Sequence, residues 1–102
     1  MKLIEIEPYF WELYQDEITM YLSVSIHHSF VTWEKSICLD EEAISNYNKH
    51  GKPSIDALAK RIESSEIRKD DERFYAYKSV DKEQRSNMYS AFMLWKKLNQ
   101  IS

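Results

Sequence analysis

The sequence contains few residues that cross-link or interrupt a chain: its 102 residues include one Cys, one Gly and two Pro. The scarcity of Gly and Pro excludes collagen-like repeats and flexible linkers. Because Cys38 is alone, no intrachain disulfide can form, which fits a reducing compartment. A Gly-rich phosphate-binding loop and the G-x-S-x-G and H-E-x-x-H motifs are also missing. We therefore expect a protein that is not an enzyme and that needs no cofactor.

The chain also lacks an excess of positive charge and a long apolar run. Its formal net charge is −3, so it has no basic field that would attract the phosphates of DNA or RNA. Glu5 and Glu7 interrupt the apolar start that a signal peptide would need, and no stretch approaches the roughly 18 apolar residues of a membrane span. These absences predict a cytoplasmic protein that binds neither nucleic acid nor a membrane.

Aromatic residues, in contrast, are abundant, with three Trp, seven Tyr and four Phe. Side chains of this size are typical of folded domains, which bury them, and are rare in disordered segments. The length of the chain suits one hydrophobic core. We therefore expect a single domain over residues 1–102, and the sequence leaves its oligomeric state open.

Alternation of apolar and polar residues predicts a β-hairpin over residues 20–39. Apolar side chains occupy every second position over 20–26, as in a strand with one buried face. The alternation resumes over 30–39, after a turn expected at 27–29. We expect these two segments to pair as antiparallel strands.

Outside the hairpin, the strand signals are shorter. Residues 3–6 form a β-prone start that Pro8 ends or confines to an edge. Residues 9–15 are too aromatic to assign and stay open. A further strand is expected near 74–80, where aromatic residues and Val follow without a breaker.

Capping residues and helical periodicity predict three helices, over about 41–50, 54–64 and 82–98. Asp40 is a suitable N-cap for the first helix, and Gly51 is a suitable left-handed C-cap. These elements predict an α+β domain in which about three helices pack on one face of a mainly antiparallel sheet. The last helix carries an apolar stripe that is expected to lie in the core, formed by Met88, Ala91, Phe92, Trp95 and Leu98.

Residues that could ligate a metal or act as a nucleophile have simpler structural explanations. His27 and His28 would point to opposite faces of a strand, and no Cys or His spacing completes a tetrahedral site. Cys38 ends an apolar strand, where a small buried filler is the usual role. The acidic runs 40–42 and 70–72 lack the ligand spacing and the Gly of a calcium loop. No metal site is predicted.

Charge and aromatic residues instead suggest a surface for a protein partner. Residues 1–17 carry five carboxylates against one Lys, so a basic partner would be attracted to this end. The outer face of the hairpin would display Tyr and Ser, which are favoured contact residues. A polar loop over 64–73 would add a second acidic patch. The candidate contact residues are Asp16, Glu17, Tyr21 and Glu34, together with Asp70, Asp71 and Glu72 in the loop.

Residues 20–62 carry a resemblance to a known family. They comprise a strand with Tyr-Leu-Ser-Val-Ser at 21–25, a second strand ending Ser-Ile-Cys-Leu at 36–39, a helix that starts Asp-Glu-Glu-Ala-Ile at 40–44 and runs to Gly51, and Ile-Asp-Ala-Leu-Ala at 55–59. This arrangement resembles small bacterial immunity proteins, which neutralise the C-terminal toxin domains of contact-dependent inhibition and related polymorphic toxin systems. The resemblance covers about two fifths of the chain.

The resemblance implies a cytosolic, non-enzymatic inhibitor of a cognate toxin domain, commonly a nuclease such as an RNase or tRNase. It also implies binding through complementary charge and shape. The acidic start of the chain agrees with this, since nucleases tend to be basic where they hold nucleic acid.

Two other functions stay open from the sequence. A small non-enzymatic adaptor or regulatory domain would have the same size and the same lack of motifs. An enzyme with catalytic residues scattered along the chain would leave no spacing signal. A toxin-domain gene directly upstream would favour the immunity function over both.

Overall fold

A computed structural model describes residues 1–68 and 77–99. Within these residues, four strands form one antiparallel sheet in the order β1-β2-β3-β4, and three helices pack on it. This confirms the predicted α+β class. The elements are β1 (Lys2–Glu7), β2 (Trp11–Gln15), β3 (Met20–His28), β4 (Val31–Cys38), α1 (Glu41–His50), α2 (Lys52–Arg68) and α3 (Lys82–Leu98).

The predicted hairpin is formed by β3 and β4, which pair from Tyr21 opposite Cys38 to His28 opposite Val31. The turn is shorter than predicted, because both His residues of the expected 27–29 turn continue β3. Only Ser29 and Phe30 connect the strands. Ser29 adopts a left-handed conformation with φ 58°, as the favoured two-residue hairpin turns require.

Two strand expectations can be compared with the described residues. The unassigned segment 9–15 contains β2, which lies between β1 and β3 in the sheet. Of the strand expected near 74–80, residues 74–76 lie outside the described part of the chain. Over the described residues 77–80, the structure has an isolated antiparallel bridge between Ser79 and Ile37 in place of the expected strand.

The helices begin and end where local capping allows. The Asp40 carboxylate accepts a hydrogen bond from the Ala43 N–H at 2.8 Å, and the Gly51 N–H donates to the Tyr47 carbonyl at 2.7 Å. Gly51 has φ 72°, which favours glycine. At the start of α3, Asp81 and Gln84 form a reciprocal capping box. The first and third helices therefore match their predicted bounds, and α2 is longer than predicted at both ends.

The sheet is buried on both faces, so the expectation that all helices pack on one face is wrong. On one face, α1 and α2 cover a large core that includes Trp11 and Leu22. On the other face, α3 covers Leu3, Tyr14 and Tyr21. Adjacent residues of a strand point to opposite faces, so β3 contributes alternately to both cores.

The stripe on α3 is only partly in the core. Met88 and Ala91 are buried, whereas Phe92 and Trp95 are half-buried and stack with ring centroids 6.4 Å apart. Leu98 is 74% exposed, so its expected core position is wrong. The contacts of α3 with this core are made by its earlier turns, at Met88, Ala91, Phe92 and Trp95.

Candidate functional site

Tyr21, predicted as an exposed contact residue, lies beneath α3 and is only 1% exposed. The hairpin face that the sequence predicts to be exposed is therefore partly covered by α3. Ser23 and Ser36 on this face are also buried. These polar side chains tolerate burial because they have partners: the Ser36 hydroxyl donates to Ser23 at 3.2 Å, and the Tyr21 hydroxyl donates to Asp16 at 2.6 Å. Tyr21 is therefore a core residue and not a partner contact.

Asp16 has a structural role in the turn between β2 and β3. Its carboxylate accepts hydrogen bonds from the backbone N–H groups of Ile18 at 2.8 Å and Thr19 at 2.9 Å, besides the Tyr21 hydroxyl. Burial alone would raise the pKa of Asp16, but these three donors together lower the pKa below its ordinary value of 3.8. The carboxylate is thus already used within the chain.

Removing the Tyr21 hydroxyl tests this role. We expect Tyr21→Phe to lower the free energy of unfolding by about 1–2 kcal/mol at pH 7, because the ring stays packed while a hydrogen bond to a carboxylate is lost. A lowered folded-state pKa stabilises the fold above the unfolded-state pKa, and this contribution is lost as pH falls through the folded value. Urea unfolding should therefore show the difference at pH 7 and a smaller one near pH 2. Equal stabilities at pH 7 would contradict the assignment.

The remaining predicted residues do not form one surface. Glu17 is exposed in the β2–β3 turn, near the start of β3. Glu34 pairs with Ser25, five residues further along β3, which is roughly 17 Å away along the strand. The predicted loop patch of Asp70, Asp71 and Glu72 lies outside the described residues.

The acidic start of the chain is also divided by the fold. The Glu5 carboxylate accepts a hydrogen bond from the Tyr47 hydroxyl of α1 at 2.6 Å, and Glu7 forms an ion pair with Lys52 at 2.7 Å. Both interactions lie on the α1 and α2 side of the sheet. Glu12 points to the opposite face, because it is one residue out of phase with Trp11. Only Glu12 of this segment approaches Glu34.

Glu12 and Glu34 line a groove of about 410 Å³ between the sheet and α3. They lie on β2 and β4, on either side of β3, opposite Ser23 and Ser25, so their backbones are roughly 12 Å apart. The floor is polar and the helix wall is largely apolar and aromatic. The other lining residues are Tyr14, Ser23 and Ser36 from the sheet and Arg85, Met88, Tyr89 and Phe92 from α3.

The electrostatics of the groove disfavour the ionised form of Glu12. Burial raises the pKa of Glu12 above its ordinary value of 4.5, and the Glu34 carboxylate raises it further. The Tyr14 hydroxyl, which donates to Glu12 at 3.4 Å, lowers it in part. A cation bound between the two carboxylates would relieve their repulsion. Arg85 also lines the groove, so its lining combines two carboxylates with one cation and keeps an excess of one negative charge. The groove can therefore accept a Lys or Arg side chain, which Tyr89 and Phe92 could contact through their rings.

Catalysis by the groove finds less support in its geometry. A serine nucleophile needs a base within hydrogen-bond reach, but Ser36 donates to Ser23 and not to a carboxylate. Cys38 is half-buried, and burial raises the pKa of its thiol, which lowers its reactivity. Across residues 1–68 and 77–99, no three His, Cys, Asp or Glu side chains converge as metal ligands.

A second hollow, of about 610 Å³, lies between α1 and α2 beside Tyr77. It is larger than the groove, but none of the predicted contact residues lines it. Its lining includes His50 and Arg61 but, unlike that of the groove, no carboxylate, so it does not present the acidic surface that a basic partner would need. A third hollow, of about 270 Å³, is lined by Asp16 and Glu17, but the Asp16 carboxylate is already hydrogen-bonded within the chain. We therefore assign the candidate site to the groove between the sheet and α3.

Replacing Glu12 by an uncharged isostere tests the electrostatics of the groove. We expect Glu12→Gln to raise the free energy of unfolding at pH 7, because the raised pKa shows that the folded chain disfavours the ionised carboxyl. This penalty is fully present above the raised folded-state pKa and vanishes as pH falls below the ordinary value of 4.5. Urea unfolding should show a more stable variant at pH 7 and no gain near pH 3. A variant less stable than the parent at pH 7 would contradict the account.

Glu12 is not among the contact residues that the sequence predicts, because the aromatic pattern of residues 9–15 does not determine their structure. Trp11 and Leu13 are both fully buried in one core, and Tyr14 is buried in the other. Because both cores take apolar residues from this segment, the apolar residues do not simply alternate with polar ones. Trp11 and Leu13, at alternate positions, still carry a period-two signal. That signal would have placed Glu12 on the face opposite Trp11.

None of the helices in residues 1–68 and 77–99 has both the length and the apolar character that crossing a bilayer requires.

Comparison with known proteins finds no relative of this chain. No family profile, curated protein or solved structure matches the chain.

Proposed function

We propose that this protein is a cytosolic immunity protein that binds and neutralises a cognate toxin domain, a basic nuclease of a contact-dependent inhibition system. The observation that carries the proposal is the groove in which Glu12 and Glu34 face an aromatic helix wall. A nuclease concentrates Lys and Arg where it holds phosphates. A cationic side chain of such a domain would enter the groove and block access of nucleic acid.

The groove has the composition of a specific contact. Carboxylates steer a basic partner during encounter, while aromatic side chains exclude water from the bound pair. Tyr89 is 66% exposed and Met93, one turn further along α3, is 44% exposed. These side chains extend the apolar wall from the groove onto the surface of the helix, so the partner would be held by charge and by apolar burial together.

Protection of growth tests the function directly. The domain encoded directly upstream of this gene, which the proposal requires to be a toxin, is expressed in a host cell from an inducible promoter, with and without this protein. We expect growth to stop without the protein and to continue with it, and the two proteins to copurify from the protected cells. A toxin that kills equally in both cultures would overturn the proposal.

The adaptor alternative gives a different outcome in the same experiment. An adaptor would copurify with a protein other than the toxin and would leave growth unprotected. An inactive toxin domain, carrying a substitution at its catalytic residue, serves as the control for toxicity that is unrelated to nuclease activity.

A further inference from the structure

Two turns at one end of the sheet present exposed aromatic side chains. Tyr9, between β1 and β2, is 92% exposed, and Phe30, between β3 and β4, is fully exposed. Val31, next to Phe30, is also exposed. The His27 ring joins the two turns, with Nε2 3.2 Å from the Tyr9 carbonyl oxygen and Nδ1 3.3 Å from the Thr32 hydroxyl. The turns thus form one convex surface, the aromatic tip, defined by Tyr9, Phe30 and Val31.

The aromatic tip has a conformational cost that the chain itself does not offset. Tyr9 has φ 67°, a left-handed conformation in which a bulky side chain is an outlier and Gly or Asn is preferred. Because the Tyr9 side chain is exposed, burial of its ring offsets almost none of this conformational cost. Ser29, beside Phe30, is also left-handed, with φ 58°. An aromatic residue at Tyr9 therefore brings no benefit within the described fold, whereas it would serve a contact made outside it.

We propose that the aromatic tip inserts into an apolar cleft of the same toxin domain that the groove binds. A convex surface needs a concave partner, and Tyr and Phe anchors gain most where a pocket removes them from water. This inference rests on the proposed function and adds the second contact of that interface. The two contacts are connected, because Glu34 and Thr32 lie at alternate positions of β4 and so on one face, between the groove and the tip.

Charge favours a protein cleft over a lipid surface as the occupant. The segments 7–11 and 28–31, which contain the two turns, include no Lys or Arg. Anionic membrane surfaces are bound through clusters of basic residues beside the inserted side chains. Lys52 and Lys60 lie beside the first turn, but each is ion-paired, with Glu7 at 2.7 Å and with Asp56 at 3.0 Å. Neither lysine therefore adds an excess of positive charge that would attract an anionic bilayer.

The test measures affinity for the catalytically inactive toxin domain encoded beside the gene. We expect Tyr9→Gly and Phe30→Ser each to weaken binding about thirtyfold or more, mainly through faster dissociation. The Tm should stay the same or rise in Tyr9→Gly, because Gly suits the left-handed backbone. Ile18→Ser is the matched control, since Ile18 is 87% exposed in a turn at the opposite end of the sheet, and it should bind within twofold of the parent.

The outcomes separate this inference from the proposed function. If Glu12→Gln/Glu34→Gln loses affinity while both tip variants bind like the parent, the tip proposal is wrong and the proposed function stands. If the parent binds no neighbouring toxin domain, both fall. Sedimentation of the parent with phosphatidylglycerol vesicles, lost in Phe30→Ser, would overturn the tip proposal in favour of a lipid surface. A dimer in sedimentation velocity that Phe30→Ser dissociates would overturn it in favour of a second copy.

Discussion

Replacing Trp11 with alanine is expected to lower the free energy of unfolding by about 3–5 kcal/mol, a large part of the roughly 5–15 kcal/mol that stabilises a small domain. Trp11 is fully buried between the sheet and the helices α1 and α2. Its Nε1–H donates to the Asp56 carboxylate at 3.3 Å, and the Lys52 ammonium lies 5.8 Å from its ring centroid. The substitution would leave a cavity and would also remove the link from β2 to α2. Urea unfolding followed by circular dichroism measures the loss.

A second tryptophan provides the matched control for this effect. Trp95 on α3 is only half-buried, so Trp95→Ala removes the same atoms from a site that is partly open to water. We expect a loss of about 1–2 kcal/mol, less than half that of Trp11→Ala. Equal losses for the two variants, or a larger loss for Trp95→Ala, would show that the central core is misplaced.

Reversing the charge of the groove is expected to have the largest effect on function. In Glu12→Lys/Glu34→Lys, both carboxylates that would receive a cation become cations themselves. Affinity for the basic toxin domain should fall at least a hundredfold, which corresponds to about 2.7 kcal/mol. Slower association and the loss of its dependence on salt should accompany the fall, because steering by opposite charge would be gone. Stopped-flow kinetics at two salt concentrations measures both.

A control variant with the same change in net charge distinguishes the effect of the two groove carboxylates from the effect of the protein's overall charge. Glu17 and Glu42 are exposed on the β2–β3 turn and in the first turn of α1, away from the groove. Glu17→Lys/Glu42→Lys should slow association only modestly and leave the dissociation rate unchanged. If this control lost as much affinity as the groove variant, only the overall charge of the protein would matter. Circular dichroism and Tm of both variants check that each remains folded.

The parts of the fold that could be predicted are those determined by local sequence. Asp40 and Gly51 mark the ends of α1 by hydrogen bonds within one turn, and the alternation in β3 reflects its own two faces. The second buried face could not be predicted. Tyr21 appears polar in the pattern, but its hydroxyl finds Asp16 and its ring packs under a helix more than sixty residues later. Burial of that kind depends on a tertiary contact that no local pattern contains.

The candidate site was predictable only in part, for the same reason. Glu34 was selected because it lies on a polar strand face, and it does line the groove. Its partner Glu12 is 22 residues away in sequence and is brought near by the order of three strands. Asp16 and Glu17 were selected for charge alone, but they lie in a turn roughly 17 Å along the strand. Local charge therefore predicts an acidic surface without predicting which carboxylates the fold brings together.

The proposed function requires that Glu12 and Glu34 bind a cationic side chain of a basic toxin domain. Isothermal titration of the inactive toxin domain encoded beside the gene tests it most directly, with the parent and Glu12→Lys/Glu34→Lys measured at the same salt concentration. We expect tight binding by the parent and at least a hundredfold weaker binding by the groove variant, while Glu17→Lys/Glu42→Lys stays within about threefold of the parent. Equal affinities for the parent and the groove variant, with both folded, would contradict the claim.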